Sequence, residues 1–379
     1  MRTLATALVV LSSVFAFGQD PTTITIRKGD TTNLAIRSLG GPEGAAATKV
    51  LQNDLDLSGV FGIVPPERAS FTVSGTAGGG SLQGEVSDGR GGTVLKKSYQ
   101  GNARQAAHLF ADDIVETLTG QKGIASSKIA FVSARSGKKE IYLADYDGAN
   151  VQQLTKDGSI SVAPAISPDG RRLVYTGYQS GYADLYLVDL SNGSRNRVVK
   201  FPGTNSGAAF APDNNRIAFT ASRDGNPELY VSAANGGGAR RLTKTRGVES
   251  SPSWSPNGEE IVYSSDDRGG PQLFRISAGG GSGQLIPTGY SYATEPSWSP
   301  DGKKIAFSAR TGGFSIAVKN LASGATQVVA SGEDPAWGAN SRHLVYSSGS
   351  SIVLLDTQTA RSVPVISGLG KVSEPSWSR

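Results

Sequence analysis

Cysteine is absent from the 379-residue chain, which excludes a disulfide framework and a thiolate zinc site. Histidine is nearly absent. Only His108 and His343 occur, so metal and general-base chemistry resting on imidazole has little to draw on. No G-x-S-x-G elbow, no P-loop and no H-E-x-x-H pair occurs, which leaves a hydrolase nucleophile, a phosphate cradle and a zinc protease unsupported. Long runs of one charge are missing as well. The 37 Lys and Arg against 32 Asp and Glu give a net charge of +5, without basic clusters interleaved with aromatics, so no nucleic-acid partner is indicated. No site for a cofactor or a metal emerges from these patterns.

One apolar run stands out, at the start. In "MRTLATALVVLSSVFAFGQD", Arg2 precedes the 14 residues from Leu4 to Phe17, too few to span the ~30 Å of a bilayer core. Small residues at Ala16 and Gly18 fit the positions a signal peptidase tests, which predicts a signal peptide at 1–18 cleaved after Gly18. Nothing further along is long and apolar enough for a membrane span, so an exported, soluble and monomeric protein is expected.

Glycine, by contrast, is plentiful at 49 residues, as suits many short strands joined by turns. A phrase recurs: "APAISPDGRRLVY" at 163–175, "SPSWSPNGEEIVY" at 251–263 and "EPSWSPDGKKIAF" at 295–307. The apolar strand in it begins at Ile129, Leu173, Ile217, Ile261, Ile305 and Leu344, spaced by 44, 44, 44, 44 and 39 residues. A period in the forties, parsed as four short strands with Asp-Gly or Asn-Gly turns, is the pattern of a propeller. The aromatic position of the first strand holds Ile166, Phe210, Trp254, Trp298, Trp337 and Trp377, read as packing between neighbouring blades. The first apolar strand, at Lys128–Val132, has no "PSWS" before it, and the last "EPSWS" has no apolar strand after it. Residues 372–378 are therefore expected to pair with 128–133 and close a ring of six blades with no open edge.

Residues 19–122 have a different grammar. Strands are expected at 23–29, 33–40, 61–65, 71–75, 81–89 and 92–100, and a helix over 43–58 from the spacing of Ala47, Val50, Leu51 and Leu55. A second helix, 102–120, has a capping box of Asn102 and Gln105, an apolar stripe of Ala107, Phe110, Ala111, Ile114 and Leu118, and a stop at Gly120. This is a small α/β domain, tied by the Gly/Ser-rich stretch 120–127 to the propeller over 123–379. His108, on a flank of that helix, the neighbours Asp112 and Asp113, and His343, at the start of a strand, all read as solvated surface residues.

The combination of a leader, an α/β domain ending "FADDIVETLTGQKGIASSKIAFVSAR" (110–135), and six units with phrases such as "SRDGNPELYVS" (222–232) resembles the TolB family, the periplasmic component of the Tol-Pal system of Gram-negative bacteria. The resemblance covers essentially the whole mature chain. It implies a periplasmic, non-catalytic scaffold that binds the lipoprotein Pal through the propeller. It also implies contact with TolA through the start of the mature chain, in support of outer-membrane integrity and cell division. Asp20, Ile24, Ile26 and Arg27 fall in that starting segment, though "QDPTTITIRKGDTT" departs from the family's pattern and Arg27-Lys28 is basic where acidic character is expected. The residues opening the inner strands are Ala163, Gly207, Ser251, Glu295, Asp334 and Glu374. Three successive carboxylates, Glu295, Asp334 and Glu374, would then sit together at the mouth, with Ser251 beside them, facing a basic or hydrogen-bond-donating protein loop or a cation. The alternative is a secreted propeller hydrolase or lyase, or a sugar-binding protein, that shares only the repeat.

Overall fold

The computed structural model describes residues 31–378. The leader, the strand expected at 23–29 and the segment with Asp20, Ile24, Ile26 and Arg27 lie outside the described residues.

The α/β unit comes first. Strands β1 (Thr32–Ile36), β2 (Phe61–Ile63), β3 (Phe71–Gly78), β4 (Ser81–Asp88) and β5 (Thr93–Gln100) form one sheet in the order β2-β1-β3-β4-β5. Both neighbours of β1 run parallel to it, while β3, β4 and β5 form an antiparallel meander. Helix α1 (Gly44–Leu57) buries Ala47, Leu51 and Leu55. Helix α2 (Ala103–Thr119) begins with the capping box of Asn102 and Gln105 and ends at Gly120, whose φ of 68° is the left-handed cap that a Cβ would strain. Glycine also decides how closely α2 lies on the sheet: a Cβ at Gly84 would stand 2.7 Å from the Phe110 ring.

Six four-stranded sheets follow. In the second, the strands Ser161–Ile166, Arg172–Gly177, Asp184–Asp189 and Arg195–Val199 run antiparallel from the centre outwards. The first sheet is made from both ends of the repeat region. Val372–Trp377 pairs with Lys128–Ser133, with Val372 opposite Ser133 and Trp377 opposite Ile129. The Lys128 amide donates to Ser378 Oγ at 2.8 Å and the Ser378 amide to the Lys128 carbonyl at 3.0 Å. The fold is thus mainly β, a six-bladed propeller preceded by an α/β unit.

The tryptophans sit between blades. Trp254 packs with Leu229 of the third blade, Trp298 with Leu273 of the fourth, Trp337 with Ile316 of the fifth and Trp377 with Leu354 of the sixth. Each is at most 4 % exposed. At roughly 150–250 Å² buried apiece, each contributes on the order of 4–6 kcal/mol of transfer free energy before ordering costs. One continuous apolar core joins the two parts of the chain, running from Leu51 and Phe110 through Ile124 to Tyr146, Val345 and Trp377.

Candidate functional site

The inner strands repeat one irregularity. Each has a bulge, and the residue within it has positive φ: Ala163 (49°), Gly207 (60°), Ser251 (51°), Glu295 (54°), Asp334 (57°) and Glu374 (53°). The left-handed conformation costs a residue with a Cβ about 1–2 kcal/mol, so five blades hold it against intrinsic preference. The bulge turns the inner strand so that these residues and the Pro, Ser and Trp that follow line a central cavity of about 340 Å³. The structure therefore brings Glu295, Asp334, Glu374 and Ser251 together around one opening.

A bulge leaves an amide without a ladder partner, and the carboxylates answer this. Glu374 accepts from the Ala163 amide at 2.6 Å, Asp334 from the Glu374 amide at 3.0 Å, and Glu295 from the Asp334 amide at 3.2 Å. At the third blade, Thr176 Oγ1 accepts from the Gly207 amide at 3.1 Å. The serines of the repeated phrase do the same one step further out: Ser253, Ser297 and Ser376 accept from the amides of Trp298, Trp337 and Ile166 in the next blade. Folding therefore gives a reason of its own to gather these acids. They brace each blade to its neighbour.

Their charges still crowd one arc. Burial, and then the negative charge of Asp334, push Glu295 up to about 7, even though Ser308 donates to it at 2.6 Å. Burial likewise raises Glu374; Asp334 adds to the effect, and Lys139, 3.9 Å away, opposes it. The arc formed by the fifth, sixth and first blades is negative, whereas the facing arc carries Ala163, Gly207 and Ser251.

Both histidines and Asp112 differ from the surface roles expected of them. Helix α2 has a second, partly buried face, spaced by four residues, that meets the first blade, α1 and the connection at 125–126. Arg104 reaches Asp145 at 2.7 Å and Asp147 at 2.6 Å. His108, 5 % exposed, meets Asp54 of α1 at 2.7 Å through Nδ1. Asp112 accepts from the amides of Ala125 and Ser126 at 2.7 and 2.9 Å, and burial raises its pKa. Asp113 is not free in solvent either; Lys97 and Tyr99 donate to it at 2.7 and 2.8 Å. A stripe at 104, 108 and 112 was readable as one helix face, but polarity made it look like the solvent side. His343 is 1 % exposed, accepts from Asn340 at 2.9 Å and lies beside the Leu57 carbonyl; burial pushes it down to about 4. Next to it the buried Arg342 pairs with Asp356 and donates to the Gly59 carbonyl at 2.7 Å.

Asp54, His108 and Asp147 come close enough together to suggest a metal site. Their chemistry is already taken up: Tyr146 donates to Asp54 at 2.9 Å, and the Arg104 guanidinium covers Asp147. A fixed cation at this point disfavours a second one.

Comparison with known proteins agrees with this architecture. The TolB beta propeller domain matches residues 115–379. The Tol-Pal system protein TolB of Geobacter sulfurreducens is 38% identical over 176 residues, which are 36% of this chain and 39% of that protein. The protein TolB homolog of Chlorobium chlorochromatii is 35% identical over 193 residues, 41% of this chain and 44% of that protein. The chain thus matches about two fifths of the length of these curated relatives. The crystal structure of TolB from Acinetobacter baumannii superposes with a TM-score of 0.81 at 25% identity, covering 93% of this chain and 97% of that one. A nidogen/laminin complex superposes at 0.57 with 12% identity, a likeness of fold alone.

Proposed function

The chain belongs to the TolB β-propeller family, and from that premise we propose that it is a non-enzymatic periplasmic scaffold of the Tol-Pal system. In this reading the propeller receives the lipoprotein Pal at its mouth. The segment with Asp20, Ile24, Ile26 and Arg27 contacts TolA, and the linkage supports outer-membrane integrity and cell division. The observation that carries the reading is the negative arc of Glu295, Asp334 and Glu374 around an open cavity. Half-buried carboxylates in a concave wall focus an attractive field on a partner loop with basic or N–H donor groups.

The test keeps the fold and removes the charge. Gln and Asn retain an acceptor oxygen for the amides these residues brace, so the variant Glu295→Gln, Asp334→Asn, Glu374→Gln is expected to fold. Its affinity for the soluble domain of Pal should fall more than tenfold, roughly 1.4 kcal/mol. The loss should lie mainly in the on-rate and shrink at high salt. Unchanged affinity at low salt overturns the assignment of the arc to Pal. Removal of residues 19–30 should abolish capture of TolA while leaving Pal binding intact; capture that survives overturns the role given to that segment.

A further inference from the structure

The third strand of each of the first four blades opens with a polar residue that ties down the connection to the next blade. Glu140 accepts from the Gly158 amide at 3.1 Å, Asp184 from Asn205 Nδ2 at 3.3 Å and Glu228 from the Thr245 amide at 2.8 Å, while Gln272 donates to the Tyr290 carbonyl at 3.1 Å. The residue opening the next inner strand is Ser161, Asn205, Glu249 or Ala293. Between the third and fourth blades alone, both positions are acidic.

Glu228 and Glu249 are each 0 % exposed. One oxygen of each is well served. Glu228 Oε1 takes Arg241 at 2.7 Å besides the Thr245 amide, and Glu249 Oε1 takes Thr245 Oγ1 at 2.8 Å and Ser265 Oγ at 2.7 Å. The other oxygen of each, Oε2, is buried without any donor. The two carboxyl groups nevertheless lie within hydrogen-bonding reach of each other. Two acceptors in contact and out of water repel unless one of them carries hydrogen. Among the described residues, Arg241 is the one cation that forms an ion pair with either carboxylate. Arg241 offsets Glu228, and the remaining groups facing the pair are Asp224, bonded to Tyr230, Asp266 and Asp267, which cap the amides of Val248 and Arg246, and the Tyr263 phenol.

We propose that Glu228 and Glu249 hold one proton between them, and that its loss in alkaline solution loosens the connection from Leu242 to Ser250 at the mouth of the propeller. This connection is fastened at the pair through Thr245, and through the Glu249 amide, which donates to the Pro227 carbonyl at 3.0 Å. It leads directly into Ser251 of the central cavity and exposes Val248 at 44 %. Burial pushes Glu249 up to about 7. A raised carboxyl pKa makes the stabilisation complete at low pH and removes it as pH rises from the ordinary carboxylate range through about 7. The device is therefore closed in mild acid and strained in mild base. It does not depend on the identity of the partner at the mouth.

The test is amide hydrogen exchange of the full chain over residues 243–250, corrected for the intrinsic pH dependence of exchange. Protection there should fall about tenfold between pH of about 6 and about 8.5. In Glu249→Gln the side-chain amide supplies the missing donor permanently, so protection should stay high across the range. Glu295→Gln should retain the wild-type pH dependence of this segment, because it lies in another arc. The infrared intensity of protonated buried carboxyl at the lower pH should be reduced in Glu249→Gln, with the share that comes from Glu295 remaining. Wild-type protection that does not change with pH, or a Gln variant that changes as the wild type does, overturns the proposal. Repeating the alkaline measurement with added calcium and with EDTA separates a proton from a metal ion. Protection that follows calcium instead of pH also overturns it.

Discussion

The wall of the propeller and its seam with the α/β unit are both built from buried polar contacts, yet they are built in opposite ways. In the wall, one small contact recurs: a side chain of one blade accepts from a strand amide of the next, as Ser253, Ser297 and Ser376 do. No single contact decides anything, and stability rests on the ring being closed. At the seam nothing recurs. Arg104, His108, Arg342 and Arg361 each make a pairing of their own, with Asp145 and Asp147, Asp54, Asp356 and Asp56. Repetition distributes load, whereas a unique junction concentrates it in a few buried charges.

Cutting the ring should have the largest effect. Deletion of residues 372–379 removes the innermost strand of the first blade and Trp377, and exposes the edge of Lys128–Ser133. Soluble expression should be abolished or the melting temperature drop sharply. A truncated chain that melts like the full one would show that closure does not carry the wall.

Breaking one seam contact should cost more than breaking one wall contact. Arg342→Ala leaves the buried Asp356 without its cation, held only by the Gln358 amide and the Thr359 hydroxyl, and removes the donor to the Gly59 carbonyl, a loss of about 3–5 kcal/mol. Denaturant unfolding should reveal it, with limited proteolysis releasing the α/β unit before the propeller. A loss no larger than that of Ser297→Ala would erase the distinction.

Acid should weaken the seam. His343 is held down at about 4 by burial, below the ordinary ~6.5. The unfolded chain then binds the proton more readily, so stability is full above about 6.5 and is lost as pH falls towards 4. Relative to His343→Gln, the wild type should lose on the order of 1–3 kcal/mol across that window. Parallel melting curves for the two proteins from neutral pH to about 4 would refute it.

The smallest effect belongs to one repeat of the wall. Gly207 has φ of 60° and open space where a Cβ would stand, so Gly207→Ala should cost only the left-handed backbone penalty of about 1 kcal/mol. A cost several times larger would mean that the third blade needs its glycine for close approach, and that the bulges are not equivalent.

The propeller was legible because repetition multiplies a weak signal. Six copies at a spacing of 44 residues, 39 for the last, each with an apolar strand, place every blade, and the half-phrase at 374–379 predicts the pairing across the ring. The capping box at Asn102 and the stop at Gly120 mark α2 just as directly, since caps depend on neighbours in the chain. The mouth was legible in part. Counting along the repeats assembles Glu295, Asp334 and Glu374, but the amides they accept from become visible only with the bulges. His108, Asp112 and His343 were misread because polarity on a helix or strand ordinarily marks the solvent side, and here that side is covered by another part of the chain.

What the sequence by itself determined is what local spacing encodes: strand and helix periods, turn chemistry, the number of blades and the residue that each blade presents at the centre. What only the tertiary structure decided is which polar groups lose their water. The burial of His343, the buried network of Asp54, His108 and Tyr146, and the donorless contact of Glu228 with Glu249 join residues far apart in the chain. The cost or gain of each comes from desolvation, a property of the surrounding volume and not of any stretch of sequence.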